Sequence, residues 1–175
     1  LYLIFQNIFH FLTNIKKNYP NYFYSDFPRT LSHLSFGLLI FFISINSIFS
    51  VQYDLNLKVG ETKKINNFEI ELKNLNVFSE KNYKKFVGNV IILDHIKNDK
   101  EILKPEIRIY NQPITMTSEA DIKSSIFSDE FLAMNLIKDS DYFSIRYQIK
   151  SFMIWIWIST LLIVCGGILR IFKRN

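Results

Sequence analysis

Few side chains in this 175-residue chain could do chemistry: His10, His33, His95, Cys165 and the carboxylates Glu106, Glu119, Asp121, Asp129 and Glu130. His33 has the most demanding setting. It stands in RTLSHLSFGLLIFF, in the first turn of a long uncharged run, where an unpaired imidazole is costly and turns toward a protein interior with a partner or a metal. Gly37 follows one helical turn later on the same face and leaves a shallow patch where a flat group or another helix can approach closely. Two roles fit His33. As an axial haem ligand it offers one ring nitrogen to iron while the other is held by a hydrogen bond. As a structural residue it bonds to a carbonyl or a serine on a neighbouring helix. A bis-histidine site needs a second histidine that this chain does not obviously supply.

His10 lies in the apolar stretch LYLIFQNIFHFLT and His95 in the polar loop LDHIKND, settings that suit an interfacial and a solvated histidine. Nothing in the spacing of the carboxylates brings two of them beside a nucleophile. The single cysteine, Cys165, gives no disulfide framework and no CxxC pair. No GxSxG, phosphate loop or zinc motif occurs, so the chain holds no catalytic constellation of its own.

The elements that must position these groups are set by how apolarity is distributed. Leu31 to Val51 runs for 21 residues without a charge and Phe152 to Leu169 for 18, each close to the length a helix needs to cross roughly 30 Å of hydrocarbon. Core helices of a soluble protein would carry a polar face at the 3.6-residue period, which neither run shows. Leu1 to Thr13 is apolar but too short to span, and reads as an interfacial helix or the end of a truncated one. A first residue of Leu rather than Met leads to the expectation of a missing upstream part or an unusual start. Five segments follow: an apolar or interfacial helix and basic loop (1–30), a span (31–51), an extramembrane domain (52–150), a second span (151–169) and a basic tail (170–175).

The net charge of +5 lies in the flanks. Residues 52–150 carry 15 Lys and Arg against 15 Asp and Glu, whereas Lys16, Lys17 and Arg29, less Asp26, precede the first span and Arg170, Lys173 and Arg174 follow the second. Such asymmetry keeps both termini on the cytoplasmic or matrix side and sends the middle domain across. It leaves no basic groove for nucleic acid; lipid is the surrounding partner. Abundant Ile, Asn, Lys, Phe and Tyr suit an A+T-rich genome, as in organelles and endosymbionts.

Between the runs the apolar period falls to two in FEIELKNLNVF (Phe68–Phe78), FVGNVIIL (Phe86–Leu93), IRIY (Ile107–Tyr110) and YFSIRYQI (Tyr142–Ile149). Turn residues separate them at Gly60-Glu61, Asn66-Asn67, Lys97 to Lys100 and Asn111-Gln112-Pro113. The fold expected is therefore a mixed membrane protein: two transmembrane helices, plus an N-terminal apolar helix, flanking a small antiparallel β-sandwich or barrel-like domain. The Trp155-Ile-Trp157 cluster suits the headgroup level at the outer end of the second span, and Gly166-Gly167 permits close helix packing near its inner end.

Taken in order, four stretches resemble the C-terminal part of the CcmF/NrfE family of cytochrome c-type biogenesis proteins. RTLSHLSFGLLIF is similar to the family's AHLG helix, with His33 at its histidine position. LKPEIRIYNQPITMTSEADI is similar to PE-x-R-x-Y followed by TEA, with Pro105, Glu106, Arg108, Tyr110, Glu119 and Ala120 matching. SDEFLAMNL looks like DLYV-x-LG with Asp129 kept. The last stretch is similar to W-x-IR-x-x-x-KP-x-x-x-WIW followed by GG, matched by Arg146, Lys150, Trp155, Ile156, Trp157, Gly166 and Gly167. The departures are Ser32, Ser35, Ser118, Ser151 and Ser159, and the resemblance covers roughly residues 28–172.

The resemblance implies a haem lyase component that joins haem to the CxxCH motif of apocytochrome c on the outer face of a mitochondrial or bacterial inner membrane. It makes His33 an axial ligand of haem b and of its iron. The family's other haem b histidine and its tryptophan-rich haem-handling motif lie upstream, so a separate N-terminal CcmF-like chain becomes the expected partner, beside apocytochrome c. The rival expectation is a structural subunit that anchors a larger respiratory or assembly complex without handling haem.

Overall fold

The computed structural model describes Phe27–Ile96 and residues 98–173, together with Tyr2, Phe5, Gln6, Phe9, Leu12 and Thr13, which are helical. His10 and the basic residues Lys16, Lys17 and Arg174 lie outside the described residues. Two compact units emerge: a helical pair that also takes in the short segment Ser125–Ser128, and a β domain formed by Ser50–Ser124 and Asp129–Lys150.

Helix α1 (Phe27–Phe49) starts at FPR, where proline's fixed φ and missing N–H suit a first helical turn. It begins before the uncharged run does, because a helix end tolerates Arg29, and it stops before Val51, the first residue of a strand. Helix α2 (Met153–Lys173) is entered through Phe152, whose φ of 60° breaks the preceding strand. Phe152 then caps the first turn, its carbonyl accepting from the N–H of Trp155 at 3.2 Å and of Ile156 at 3.4 Å.

Small residues line the contact between α1 and α2. A Cβ on Gly166 would come within 2.9 Å of the Pro28 carbonyl and would collide with the Ser32 hydroxyl, so only glycine lets the helices approach this closely. Gly167 faces open space. The Ser32 hydroxyl donates to the Ile163 carbonyl at 3.4 Å, Phe42 stacks on Trp155 at 5.6 Å, and the Asn46 amide donates to the Ser151 carbonyl at 2.5 Å. The buried residues of this unit include Pro28, Thr30, Ser35, Gly37, Ser159 and Gly166, while Phe36, Ile40, Ile43, Leu161 and Val164 are exposed. Only 11% of the residues in each apolar stretch are buried, the reverse of a soluble core helix.

The β domain is built from β1 (Val51–Leu57), β2 (Thr62–Ile65), β3 (Phe68–Ser79), β4 (Tyr83–Asp94), β5 (Asp99–Leu103), β6 (Glu106–Asn111), β7 (Ile114–Glu119), β8 (Asp121–Ser124), β9 (Ser128–Leu136) and β10 (Phe143–Ser151). One sheet runs β1-β10-β9-β8 and the other β2-β3-β4-β6-β7, with β5 beside the second half of β4. β5 and β6 share one edge of β4, parted at Lys104-Pro105, where proline has no N–H for a ladder and its carbonyl accepts from Gly88 at 3.0 Å. The turns fall at the expected places: Gly60 has φ 83°, Asn66 and Asn98 have φ 52°, and a cis Gln112–Pro113 bond closes the β6–β7 turn.

Leu55 and Leu57 of β1, Leu132 and Met134 of β9 and Ile145 and Tyr147 of β10 pack with Ile70 and Leu72 of β3, Val90 and Ile92 of β4, Leu103 of β5 and Ile107 of β6. Inner faces of both sheets therefore share one core, the arrangement of a sandwich. In β3 the inward series Phe68, Ile70, Leu72 is re-phased by a bulge at Lys73, after which Leu75 turns inward.

Candidate functional site

His33 lies on α1 one helical turn before Gly37, as the sequence requires, but the two differ in environment: Gly37 is buried and His33 is exposed. The exposed line on α1 runs Arg29, His33, Phe36, Ile40, Ile43 and Ser47, at three- and four-residue steps. His33 is thus an imidazole in an otherwise largely apolar outer stripe, and among the described residues it makes no hydrogen bond or ion pair. Two residues on and on a different face, Ser35 is 1% exposed, and its hydroxyl has no partner among the described residues.

A haem needs a flat apolar wall and axial donors. The stripe supplies Phe36, Ile40 and one donor, His33. No second histidine is found on α1 or α2, and no group of three or more His, Cys, Asp or Glu able to hold a metal ion is found among the described residues. The chain's residues fit one half of a bis-histidine site.

The remaining motif residues have positions inside the chain. The β6–β7 register sets Glu106 opposite Glu119, and Arg108 lies between them. Its Nη2 and Nε donate to Glu106 Oε2 at 2.9 and 3.1 Å, Nη1 stands 4.0 Å from Glu119 Oε1, and the guanidinium lies 5.6 Å from the Tyr83 ring, which packs on Tyr110. The hydrogen bond to Glu106, then that to Tyr110, holds the guanidinium charge more firmly than usual. So two of the carboxylates do meet, by strand pairing rather than spacing, but around a cation and with no nucleophile. Asp121 accepts from the backbone N–H of Lys104 at 2.7 Å. Arg146 Nε donates to Asp54 Oδ1 at 2.7 Å across the β1–β10 pair, which draws the Asp54 carboxyl below its ordinary range. His95 stands 3.2 Å from Glu69 Oε2 in an exposed turn. The Trp155 indole N–H donates to the Ile126 carbonyl at 3.0 Å. Arg108, Arg146, Trp155 and Gly166 are each used within the chain; His33, Trp157 and Gly167 face outward.

One buried polar pair escapes sequence reasoning. The Tyr147 hydroxyl donates to Glu130 Oε2 at 2.6 Å inside the sandwich, beside a small cavity also lined by Phe68, Ile92, Asp94, Asp99 and Glu101. Burial, then the Glu130 bond, pushes the phenol far above its ordinary range. The signal was present: in DEFLAMNL, Glu130 shares a strand face with Leu132 and Met134.

The CcmF C-terminal beta-sandwich family matches residues 48–151, the β domain with its helix junctions. The chain belongs to this family. Cytochrome c-type biogenesis protein CcmF of Haemophilus influenzae is 27% identical over 153 residues, covering 86% of this chain and 23% of that protein. CcmF of Pseudomonas aeruginosa is 29% identical over 148 residues, 83% of this chain and 22% of that protein. The probable cytochrome c-type biogenesis protein NrfE of Escherichia coli is 24% identical over 142 residues. Among solved structures, Cytochrome c Heme Lyase CcmF superposes with a TM-score of 0.61 at 14% identity over 81% of this chain and 24% of that one, a likeness of fold. The chain thus spans about a quarter of the length of these CcmF relatives, their C-terminal region.

Proposed function

We propose that this chain serves cytochrome c maturation as the C-terminal region of a CcmF-type haem lyase, working with an N-terminal portion that is continuous with it or separately encoded. In this reading α1 and α2 cross a mitochondrial or bacterial inner membrane. The β domain stands in the intermembrane space or periplasm, and both termini lie in the matrix or cytoplasm. The positive flanks support that orientation, because basic residues stay on the side where insertion begins.

His33 carries the haem reading. An imidazole left outward on a largely apolar stripe is expensive in lipid unless another chain or group meets it. The residues of this chain that would hold haem b are His33, through a ring nitrogen, and Phe36 and Ile40, as an apolar wall, with the N-terminal portion supplying what this chain lacks. Haem b, when bound, brings one-electron chemistry. This chain's part is to present a ring nitrogen at a fixed height on α1, with α1 held in place by α2 through Gly166, Ser32 and Phe42. In the same reading the β domain, which carries the Glu106–Arg108–Glu119 and Asp54–Arg146 pairs, stands beside apocytochrome c.

The test is a dithionite-reduced absorption spectrum of the co-purified complex carrying His33→Ala. The haem b band falls strongly while complex yield and far-ultraviolet circular dichroism hold, since an exposed side chain contributes little to the fold. Unchanged haem b content removes the ligand role. A second reading, a structural subunit that anchors a larger respiratory or assembly complex, draws on the internal use of Arg108, Arg146 and Trp155. Co-purification separates the two: a tryptophan-rich haem lyase portion and apocytochrome c support the first, and a stoichiometric place in a respiratory complex supports the second.

A further inference from the structure

We infer that the tip of the β8–β9 hairpin, Ile126–Phe127, is a third membrane contact of this chain, inserted into the interfacial layer of the outer leaflet beside the first turn of α2. The inference rests on the reading that α2 crosses the bilayer.

Two-residue hairpin tips are ordinarily built from Asn, Gly or Asp, which reach positive φ and like water. This tip has Ile and Phe. Neither is among the residues with positive φ, so turn geometry does not call for them, and at 60% and 66% exposure neither is used by a core. A local rule broken without internal gain points to a surrounding medium. The chain has placed large apolar side chains where a soluble domain places polar ones.

The polar groups of the tip show which medium. The Ser125 N–H donates to the Ser128 carbonyl at 3.0 Å, the Ser125 hydroxyl to the same carbonyl at 2.6 Å, and the Ser128 N–H to the Ser125 hydroxyl at 3.1 Å. Both tip carbonyls are also satisfied: Ile126 accepts from the Trp155 indole at 3.0 Å and Phe127 from the Phe152 N–H at 2.7 Å. Backbone that enters lipid must have its polar groups paired internally, and here these serines and carbonyls are. The same bonds fix the depth. They tie the tip to Phe152 and Trp155, where α2 begins and where tryptophan prefers the headgroup region; Trp157, 63% exposed, lies in the same turn. The Phe127 ring meets the Phe152 ring edge to face at 6.1 Å, giving one apolar wedge at that level. A lipid interface is therefore the occupant. Its effect is to anchor the β8–β9 tip at the membrane surface beside the junction of β10 with α2.

The test uses the full chain with Cys165→Ser, reconstituted in phosphatidylcholine vesicles, with a single cysteine carrying an environment-sensitive fluorophore at Ile126→Cys, at Leu161→Cys within α2, or at Asn98→Cys in a β-domain turn. The 126 label shifts to the blue and is quenched more by spin-labelled lipid with the label near the headgroup than deep in the chain, as expected about 5–10 Å below the boundary. The 98 label responds as in water and the 161 label is quenched from the deep position. A 126 label that iodide reaches as freely as it reaches 98 overturns the insertion while leaving α2 in the membrane. A 126 label shielded from iodide yet unquenched by lipid is covered by protein and also overturns it. A 161 label unquenched by any lipid removes the spanning reading and the insertion together. Phe127→Trp, read by brominated lipid against the parent chain, repeats the measurement with the fluorophore built into the wedge.

Discussion

The β domain buries Leu57, Ile70, Leu72, Val90, Ile107, Leu132 and Ile145 almost completely, whereas the helical pair buries Pro28, Thr30, Ser35, Gly37, Ser159 and Gly166 and turns Phe36, Ile43, Leu161 and Val164 outward. The sandwich is sorted as water sorts a protein, with apolar bulk inside and Lys, Glu and Asn out. The helices show the reverse order, which suits the proposed membrane-spanning reading: where hydrocarbon is the solvent, large apolar side chains gain nothing by leaving it, and the contact goes to small residues that let backbones approach. One chain therefore carries two cores, and a given substitution has a different meaning in each.

The largest effect that separates them is a cut in bulk. Ile107→Ala, wholly inside the sandwich, costs about 2–5 kcal/mol. Leu161→Ala, 63% exposed on α2, costs no more than a few tenths, within the range of surface changes. Hydrogen exchange of β-domain and α2 amides in vesicles reads the two separately. A Leu161→Ala loss as large as that of Ile107→Ala would show that protein rather than lipid covers the outer face of α2.

Adding bulk gives the converse, with a smaller magnitude and opposite signs at adjacent positions. Gly166→Ala sets a Cβ against the Pro28 carbonyl and the Ser32 backbone nitrogen, 2.9 and 3.1 Å away, and neither can swing aside, so the helices must part at a cost of about 1–3 kcal/mol. Gly167→Ala meets nothing within 4 Å and gains up to ~1 kcal/mol of helix propensity. Thermal unfolding of the reconstituted chain orders the two; equal effects would mean that Gly166 is not the contact.

Much of this contrast could be read from residue order. The uncharged runs located both helices to within a few residues, and the alternation in FEIEL and IRIY located strands β3 and β6. Three features were hidden, each for a physical reason. Lys73 looks like an ordinary strand residue, and the bulge it forms is visible only once Leu75 is seen to turn inward. The β8–β9 hairpin has no Gly or Asn at its tip, so SSIFS gave no turn signal. The meeting of Glu106 with Glu119 depends on strand register, which local spacing does not encode. His33 was legible as a candidate because a lone imidazole in an apolar run is conspicuous, and no second histidine stands on α1 or α2.

The finest distinction between the two cores is a proton. Tyr147, 1% exposed, gives its hydroxyl hydrogen to Glu130 in the sandwich, and burial followed by that bond raises the phenol pKa far above its ordinary value near 10. Above pH ~10 the unfolded chain has lost this proton and the folded chain keeps it, so the folded state binds more protons and stability falls as pH rises. The contribution is whole below pH ~10 and declines beyond it, by up to about 1.4 kcal/mol per pH unit. Tyr147→Phe lowers stability at neutral pH by about 1–3 kcal/mol, through loss of a donor to a buried carboxylate, and flattens the alkaline slope. Lysines and the other tyrosines titrate in both proteins, so the difference between parent and variant isolates this group. The slope should appear in exchange of β9 and β10 amides and be absent from α2. An alkaline slope unchanged by Tyr147→Phe would place the sensitive proton elsewhere and remove Glu130–Tyr147 as the polar tie of the sandwich.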